Sequence, residues 1–135
     1  MSTLSWAWRD IADAGLAGFK GFTVLHELDL SNCANLTDLA GLQCPQLTTL
    51  DVSSCAGLTD AGLASLPCPL ITSLDVSSCH GLTDAGLECL QCPSLLTLGI
   101  YDCKFTAGLL ISLRCAGVDL VVDELLSTFT DSDSD

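Results

Sequence analysis

The chain contains CPQLTTLDVSSCAGLTDAGLASLP at residues 44–67, followed directly by the nearly identical CPLITSLDVSSCHGLTDAGLECLQ at residues 68–91. The unit continues after one deletion as CPSLLTLGIYDCKFTAGLLISLR at residues 92–114. It is preceded by a copy two residues shorter, FTVLHELDLSNCANLTDLAGLQ, at residues 22–43. One series of cysteines follows this period with steps of 22, 24 and 24 residues, at Cys33, Cys55, Cys79 and Cys103. The spacing predicts four consecutive repeats, 22–43, 44–67, 68–91 and 92–115.

Each repeat predicts the same local structure. In Leu50-Asp51-Val52 the apolar residues alternate with a polar one, which is typical of a short strand with one buried face. Thr59 is a candidate N-cap, and Asp60 in the first turn suits the helix dipole. A short helix is expected to end before Cys-Pro, because proline cannot continue it. One such unit buries too little to fold alone, so the repeats must stack.

The run L-x-x-L-D-V-S-S-C-x-G-L-T-D-A-G-L-x-x-L-x-x-C-P resembles the cysteine-containing subfamily of leucine-rich repeats. This subfamily is best known from the F-box substrate receptors of ubiquitin ligases. The resemblance implies an α/β fold, a short curved solenoid with a parallel β-sheet on its concave side and short helices on its convex side. It does not imply an F-box, because the 21 residues before the repeats are too few for that helical adaptor.

Degenerate copies of the unit flank the four repeats. Residues 1–21 are expected to form an N-terminal capping half-repeat, because 13–17 repeat the DAGLA of 60–64; Trp6 and Trp8 are expected to cover the core. Residues 116–126 are expected to add a last strand, over 118–122, and a closing turn at 124–126. Residues 127–135, STFTDSDSD, are expected to be a disordered acidic tail.

Charge excludes several classes of function. The sequence contains four Lys and Arg residues and 17 Asp and Glu residues, which gives a net charge of −13. Residues 21–103 contain no Lys or Arg at all. Such a surface repels phosphate, so neither nucleic acid nor an anionic membrane is an expected partner. Nine cysteines without a recognisable signal peptide indicate thiols in a reducing compartment, and we expect an intracellular, cytoplasmic or nuclear protein.

The repeat pattern explains the cysteines and histidines better than a metal site or a catalytic site does. Cys89 and Cys92 form a lone C-x-x-C near His80, whereas a structural zinc site needs four ligands. His26 and His80 occupy different positions in their repeats and are not expected to meet at one thiol or hydroxyl. The sequence therefore predicts no enzyme activity, no catalytic residue, no metal site and no cofactor.

One column of residues suggests binding. Asp29, Asp51 and Asp75 share an outward strand position in consecutive repeats, and Gly99 ends the series. Parallel strands lie about 4.8 Å apart, so neighbouring carboxylates should repel by roughly 0.8 kcal/mol even in water. One interpretation is that this column is only a consensus feature of such repeats; the other is an acidic strip for a basic partner. The predicted partner-binding residues of the concave face are Glu27, Asp29, Ser31, Thr49, Asp51, Ser53, Ser73, Asp75, Ser77, Thr97 and Tyr101.

The sequence thus favours a non-enzymatic interaction module that binds a protein or peptide with a basic patch on its acidic concave face. The resemblance implies a substrate-recognition or adaptor element similar to ubiquitin-ligase receptors. The alternative is a structural subunit of a larger assembly. The first predicts a soluble monomer, and the second a chain that needs its partner.

Overall fold

A computed structural model describes residues 3–4, 11–19, 24–90 and 92–122. The six strands are β1 (Thr3–Leu4), β2 (Glu27–Asp29), β3 (Thr49–Asp51), β4 (Ser73–Asp75), β5 (Thr97–Gly99) and β6 (Asp119–Val121). A 3-10 helix spans Asp13–Phe19, and three α-helices follow, α1 (Asp60–Ala64), α2 (Asp84–Glu88) and α3 (Ala107–Cys115). The strands form one sheet in chain order with every pair parallel. The predicted α/β solenoid with a parallel sheet is confirmed.

The strands bury one residue in two, as their alternation predicts. The central leucines of neighbouring strands are paired in register and are at most 2% exposed: Leu28, Leu50, Leu74 and Leu98. The residues that follow the strands at the inward position, Val52 and Val76, are fully buried. Stacking at the repeat spacing therefore produces a continuous apolar core behind the sheet.

The buried thiols turn the chain after each strand. Cys55 donates to the carbonyl of Leu30 (3.2 Å), and Cys79 donates to that of Val52 (3.0 Å), each in the preceding repeat. The common offset of Cys33, Cys55, Cys79 and Cys103 after their strands predicts that all four are buried in one column. Cys33 is buried as well, but the prediction is wrong for Cys103. Cys103 is half-buried because it lies in the last repeat, where less of the following chain covers it.

The second cysteine column behaves in the same way. Cys44, Cys68 and Cys92 are buried, whereas Cys115, at the end of α3, is exposed. Cys89 replaces a serine of the preceding repeat and is exposed at the C-cap of α2. Both outer thiols thus lie outside the core.

Exposure and acidity predict how these thiols react. Burial raises the pKa of Cys79 from 9.0 to about 12; a backbone hydrogen bond from Cys55 opposes the rise, and the nearby Cys55, Cys103 and Asp75 add to it. Because the thiolate is the nucleophile, the raised pKa and the burial both make Cys79 much less reactive than an exposed thiol. We expect N-ethylmaleimide to label Cys89 and Cys115 first, measured by timed quenching and peptide mass spectrometry. Labelling of Cys79 as fast as Cys89 would contradict the packing of this column.

The helices begin where the sequence predicts. The hydroxyls of Thr59, Thr83 and Thr106 accept hydrogen bonds from Gly62 N (3.0 Å), Ala85 N (3.4 Å) and Leu109 N (3.3 Å). The repeat at 22–43 has a turn instead of a helix at the corresponding place, because it is two residues shorter. Convex helices are therefore present in three of the four repeats.

An unpredicted set of bonds joins an Asp of one repeat to the Thr at the corresponding turn of the next. Asp60 accepts from the backbone N and the hydroxyl of Thr83 at 2.7 and 2.5 Å. Asp84 binds Thr106 in the same way at 3.0 and 2.5 Å. Asp13 binds Thr37, 24 residues away, at 2.7 and 2.5 Å. The Thr-Asp pair of one repeat therefore both caps its own helix and holds the cap of a neighbour.

The ends of the chain are described in part. The 3-10 helix Asp13–Phe19 stands where later repeats have an α-helix, and β1 extends the sheet at that end. β6 lies within residues 118–122, for which the register predicts a strand. Trp6 and Trp8, the closing turn at 124–126 and the acidic tail at 127–135 lie outside the described residues. Over the described part of the chain, the helices are too short to cross a membrane.

Candidate interaction surface

The predicted binding residues lie on one face of the sheet, here called the concave face. Strand register aligns them in two rows, and a third row follows directly after the strands. The first row is Glu27, Thr49, Ser73 and Thr97; the second is Asp29, Asp51, Asp75 and Gly99; the third is Ser31, Ser53, Ser77 and Tyr101. Except for Gly99, which is buried, and Tyr101, which is 51% exposed, these residues are half-buried. The sheet thus brings all eleven predicted residues onto one surface.

The carboxylates of the second row hold the turn after each strand. The Oδ1 atoms of Asp29, Asp51 and Asp75 accept from the backbone N–H two residues on, at 2.8–2.9 Å. The residue that follows has a left-handed backbone, with φ of 66° at Asn32, 58° at Ser54 and 59° at Ser78. A carboxylate that accepts such a bond stabilises a tight turn. The column therefore has a structural role, which favours the consensus interpretation.

The last repeat replaces this bond. Gly99 has no carboxylate, and the N–H of Tyr101 donates to the Ser77 hydroxyl at 2.9 Å. Asp102, the next residue, keeps the left-handed backbone with a φ of 58°. The turn is thus preserved while the acidic row ends.

Burial and like charge act together on the central carboxylate. Burial raises the pKa of Asp51, hydrogen bonds from Ser53 oppose the rise, and the charges of Asp75 and Asp29 add to it. No lysine or arginine pairs with this row, since the ion pair found among the described residues joins His80 Nε2 to Asp102 Oδ2 at 3.0 Å. Among the described residues, the negative charge of this row is therefore stabilised by hydrogen bonds within its own turns and not by a basic side chain.

The face changes character towards its C-terminal end. A hollow of about 530 Å³ opens there between Asp75, Ser77, Thr97, Gly99, Tyr101 and Val121. Tyr101 is 51% exposed and Val121 is 43% exposed, so aromatic and aliphatic surface replaces carboxylates. An acidic half of the face thus borders a partly apolar hollow. Gly99 and Val121 were not identified from the sequence as lining residues of this hollow. The one signal in the sequence is the glycine at position 99, where the preceding repeats have aspartate.

The histidines and the C-x-x-C pair do not form a reactive site with each other. His80 bonds the exposed Asp102 rather than a thiol, and this contact is the first cause that lowers the pKa of Asp102. Cys92 donates to the carbonyl of Cys68 (3.8 Å) from within the core. Within residues 3–4, 11–19, 24–90 and 92–122, no group of three or more His, Cys, Asp or Glu is placed to hold a metal ion. The concave face is therefore the candidate functional site among the described residues.

Known proteins share this architecture. The family model for leucine-rich repeats in two copies matches residues 23–67, and that for a single leucine-rich repeat matches 68–90, together half of the chain. A chain in the crystal structure of the Rad7 and Elc1 complex in yeast has a similar fold, with a TM-score of 0.70 and 23% identity. The match covers 93% of this protein but only 32% of that chain. No curated protein sequence matches significantly.

Proposed function

Because the chain belongs to the leucine-rich-repeat family, we propose that it is a non-enzymatic interaction module whose concave face binds a protein or peptide with a basic patch. The observation that carries this proposal is the row of Asp29, Asp51 and Asp75, which has no lysine or arginine partner among the described residues. Each carboxylate accepts a hydrogen bond within its own turn and remains only half-buried, so that a ligand can reach it.

The energetics of the row support a cationic partner. Burial raises the pKa of Asp51 most, and the charges of Asp75 and Asp29 add to the rise, so the folded protein carries a repulsion that a bound Lys or Arg relieves. Complementary charge mainly increases the association rate and the selectivity of an interface. The resemblance to the repeats of ubiquitin-ligase receptors further supports a role as a substrate-recognition or adaptor element inside the cell.

A second candidate is a structural subunit of a larger assembly. The specific observation in its favour is α3, in which no residue is buried and Ile111 is 61% exposed. Leu96, just before β5, is 60% exposed. A solenoid that exposes aliphatic side chains at its last repeat has surface for a permanent partner. A protein that is monomeric and soluble when purified alone would argue against this alternative.

The test of the proposed function is a peptide selection followed by kinetics. We expect peptides selected from a random display library on the intact protein to be enriched in Lys and Arg. Their association rates should fall steeply between 50 and 500 mM salt and by about tenfold at low salt in the Asp51→Asn/Asp75→Asn variant. Asparagine keeps the oxygen that accepts the turn hydrogen bond, so folding should be preserved.

Two single substitutions distinguish the effect of charge on the concave face from the effect of the net charge of the whole protein. Asp51→Asn and Glu88→Gln remove the same charge, but Glu88 is the last residue of α2 and lies outside the concave face. We expect only Asp51→Asn to slow association markedly. Selected peptides without basic residues, or equal rates for both variants, would overturn the proposal.

A further inference from the structure

We propose that the hollow at the C-terminal end of the concave face is a subsite for one arginine side chain of the bound peptide. The inference rests on the proposed function and deepens it by naming the residue type that this part of the surface selects. The hollow has a volume of about 530 Å³, which is within the range of ligand sites. Its lining combines a carboxylate, hydroxyls, an aromatic ring and an aliphatic side chain.

Asp75 supplies the charge. Among the described residues it is the carboxylate that borders the hollow, and its Oδ1 accepts from Ser77 N at 2.9 Å, which leaves Oδ2 to a ligand. The Asp75 side chain extends towards the next repeat and lies against Gly99. A Cβ atom added to Gly99 would lie 2.7 Å from both Cγ and Oδ1 of Asp75. The carboxylate is thus presented at the hollow itself.

Gly99 provides the space. It is paired with Asp75 in the strand register, at the position where the preceding repeats carry carboxylates. Any side chain at residue 99 would displace the Asp75 carboxylate and fill the hollow. The last repeat therefore replaces a charged group with room for a group from a partner.

Tyr101 and Val121 favour arginine over lysine. A guanidinium stacks on an aromatic face, and its stem covers aliphatic surface, here the exposed ring of Tyr101 and the exposed side chain of Val121. Its five planar donors match a carboxylate together with several hydroxyl acceptors, and Ser53, Ser73 and Thr97 line the same hollow. A lysine ammonium has three donors and no planar face, so it satisfies fewer of these partners.

The experiment titrates the isotope-labelled full chain with three short peptides followed by amide NMR. The probes are acetyl-Gly-Arg-Gly-amide and its lysine and citrulline counterparts, in which citrulline keeps the shape of arginine without its charge. We expect the arginine peptide to shift the amides of Gly99 and Tyr101 with millimolar affinity, the lysine peptide to bind several-fold more weakly, and the citrulline peptide not to bind. Equal binding of arginine and citrulline, or shifts confined to other repeats, would overturn the subsite.

Substitutions at the hollow complete the test. Tyr101→Ala should weaken binding of the arginine peptide about threefold, while Tyr101→Phe, which keeps the aromatic face, should not. Asp75→Asn should abolish the difference between arginine and citrulline. If selected peptides are basic and depend on Asp51 but are indifferent to Tyr101→Ala, the proposed function stands and the arginine subsite fails. If no basic peptide binds at all, both fail.

Discussion

Replacing Gly62 with alanine is expected to lower the free energy of unfolding by about 3 kcal/mol or more, because the new methyl group overlaps the backbone of the preceding repeat. A Cβ at this buried position of α1 would overlap the carbonyl oxygen of Thr37 and would lie 3.0 Å from the Cα of Asp38. Backbone cannot move aside as a flexible side chain does. The two repeats would have to separate, and their shared core would lose contact.

The matched control for this substitution is Gly108→Ala in α3. The nearest atom to a Cβ there is the hydroxyl of Thr106 at 4.0 Å, and Gly108 is exposed. Alanine in an open helical position should stabilise the protein by about 0.5–1 kcal/mol, since glycine loses more conformational freedom on folding. Urea unfolding followed by circular dichroism measures both variants. A Gly62→Ala protein as stable as Gly108→Ala would show that α1 does not approach the preceding repeat so closely.

Leu74→Ala is expected to cost about 2–5 kcal/mol, which can unfold an array of this size. Leu74 is 1% exposed in β4 and is paired in register with Leu50 on one side and Leu98 on the other. A cavity there weakens the contacts with both neighbouring repeats, and the stability of a solenoid depends on such neighbour interfaces.

Leu70→Ala is the corresponding control in the same repeat. Leu70 is 44% exposed, and its truncation should change stability by roughly 0.5 kcal/mol or less. Thermal unfolding of the two variants compares the same chemical change at a buried and at an exposed position. Equal shifts of Tm would mean that the alternation of buried and exposed residues around β4 has been assigned wrongly.

The two interpretations of the aspartate row are not exclusive. The sequence places Asp29, Asp51 and Asp75 in one outward row, and the structure adds the hydrogen bond that each makes to its own turn. A consensus role in the turn explains why the residue repeats. It leaves the half-buried row, which has no basic partner among the described residues, available to a ligand.

Local pattern determined much of this protein. The 24-residue period, the alternation around Leu50 and Leu74 and the threonine caps are properties of a few consecutive residues, and they predict the strands, the buried leucines and the helix starts. Even the predicted binding face follows from them, because residues that alternate in a strand and recur with the repeat must align when the repeats stack.

What only the tertiary structure decided lies between repeats. The bonds of Asp60 and Asp84 to threonines 23 and 22 residues later depend on the offset of one turn against the next, which no local pattern specifies. The close approach at Gly62 arises where α1 packs against the backbone of Thr37 and Asp38 in the preceding repeat. The hollow beside Gly99 exists because Gly99 has no side chain to fill the space between Asp75, which extends towards it, and the exposed Val121. Side chains from three different strands create that space, so it becomes visible only when the strands are in register.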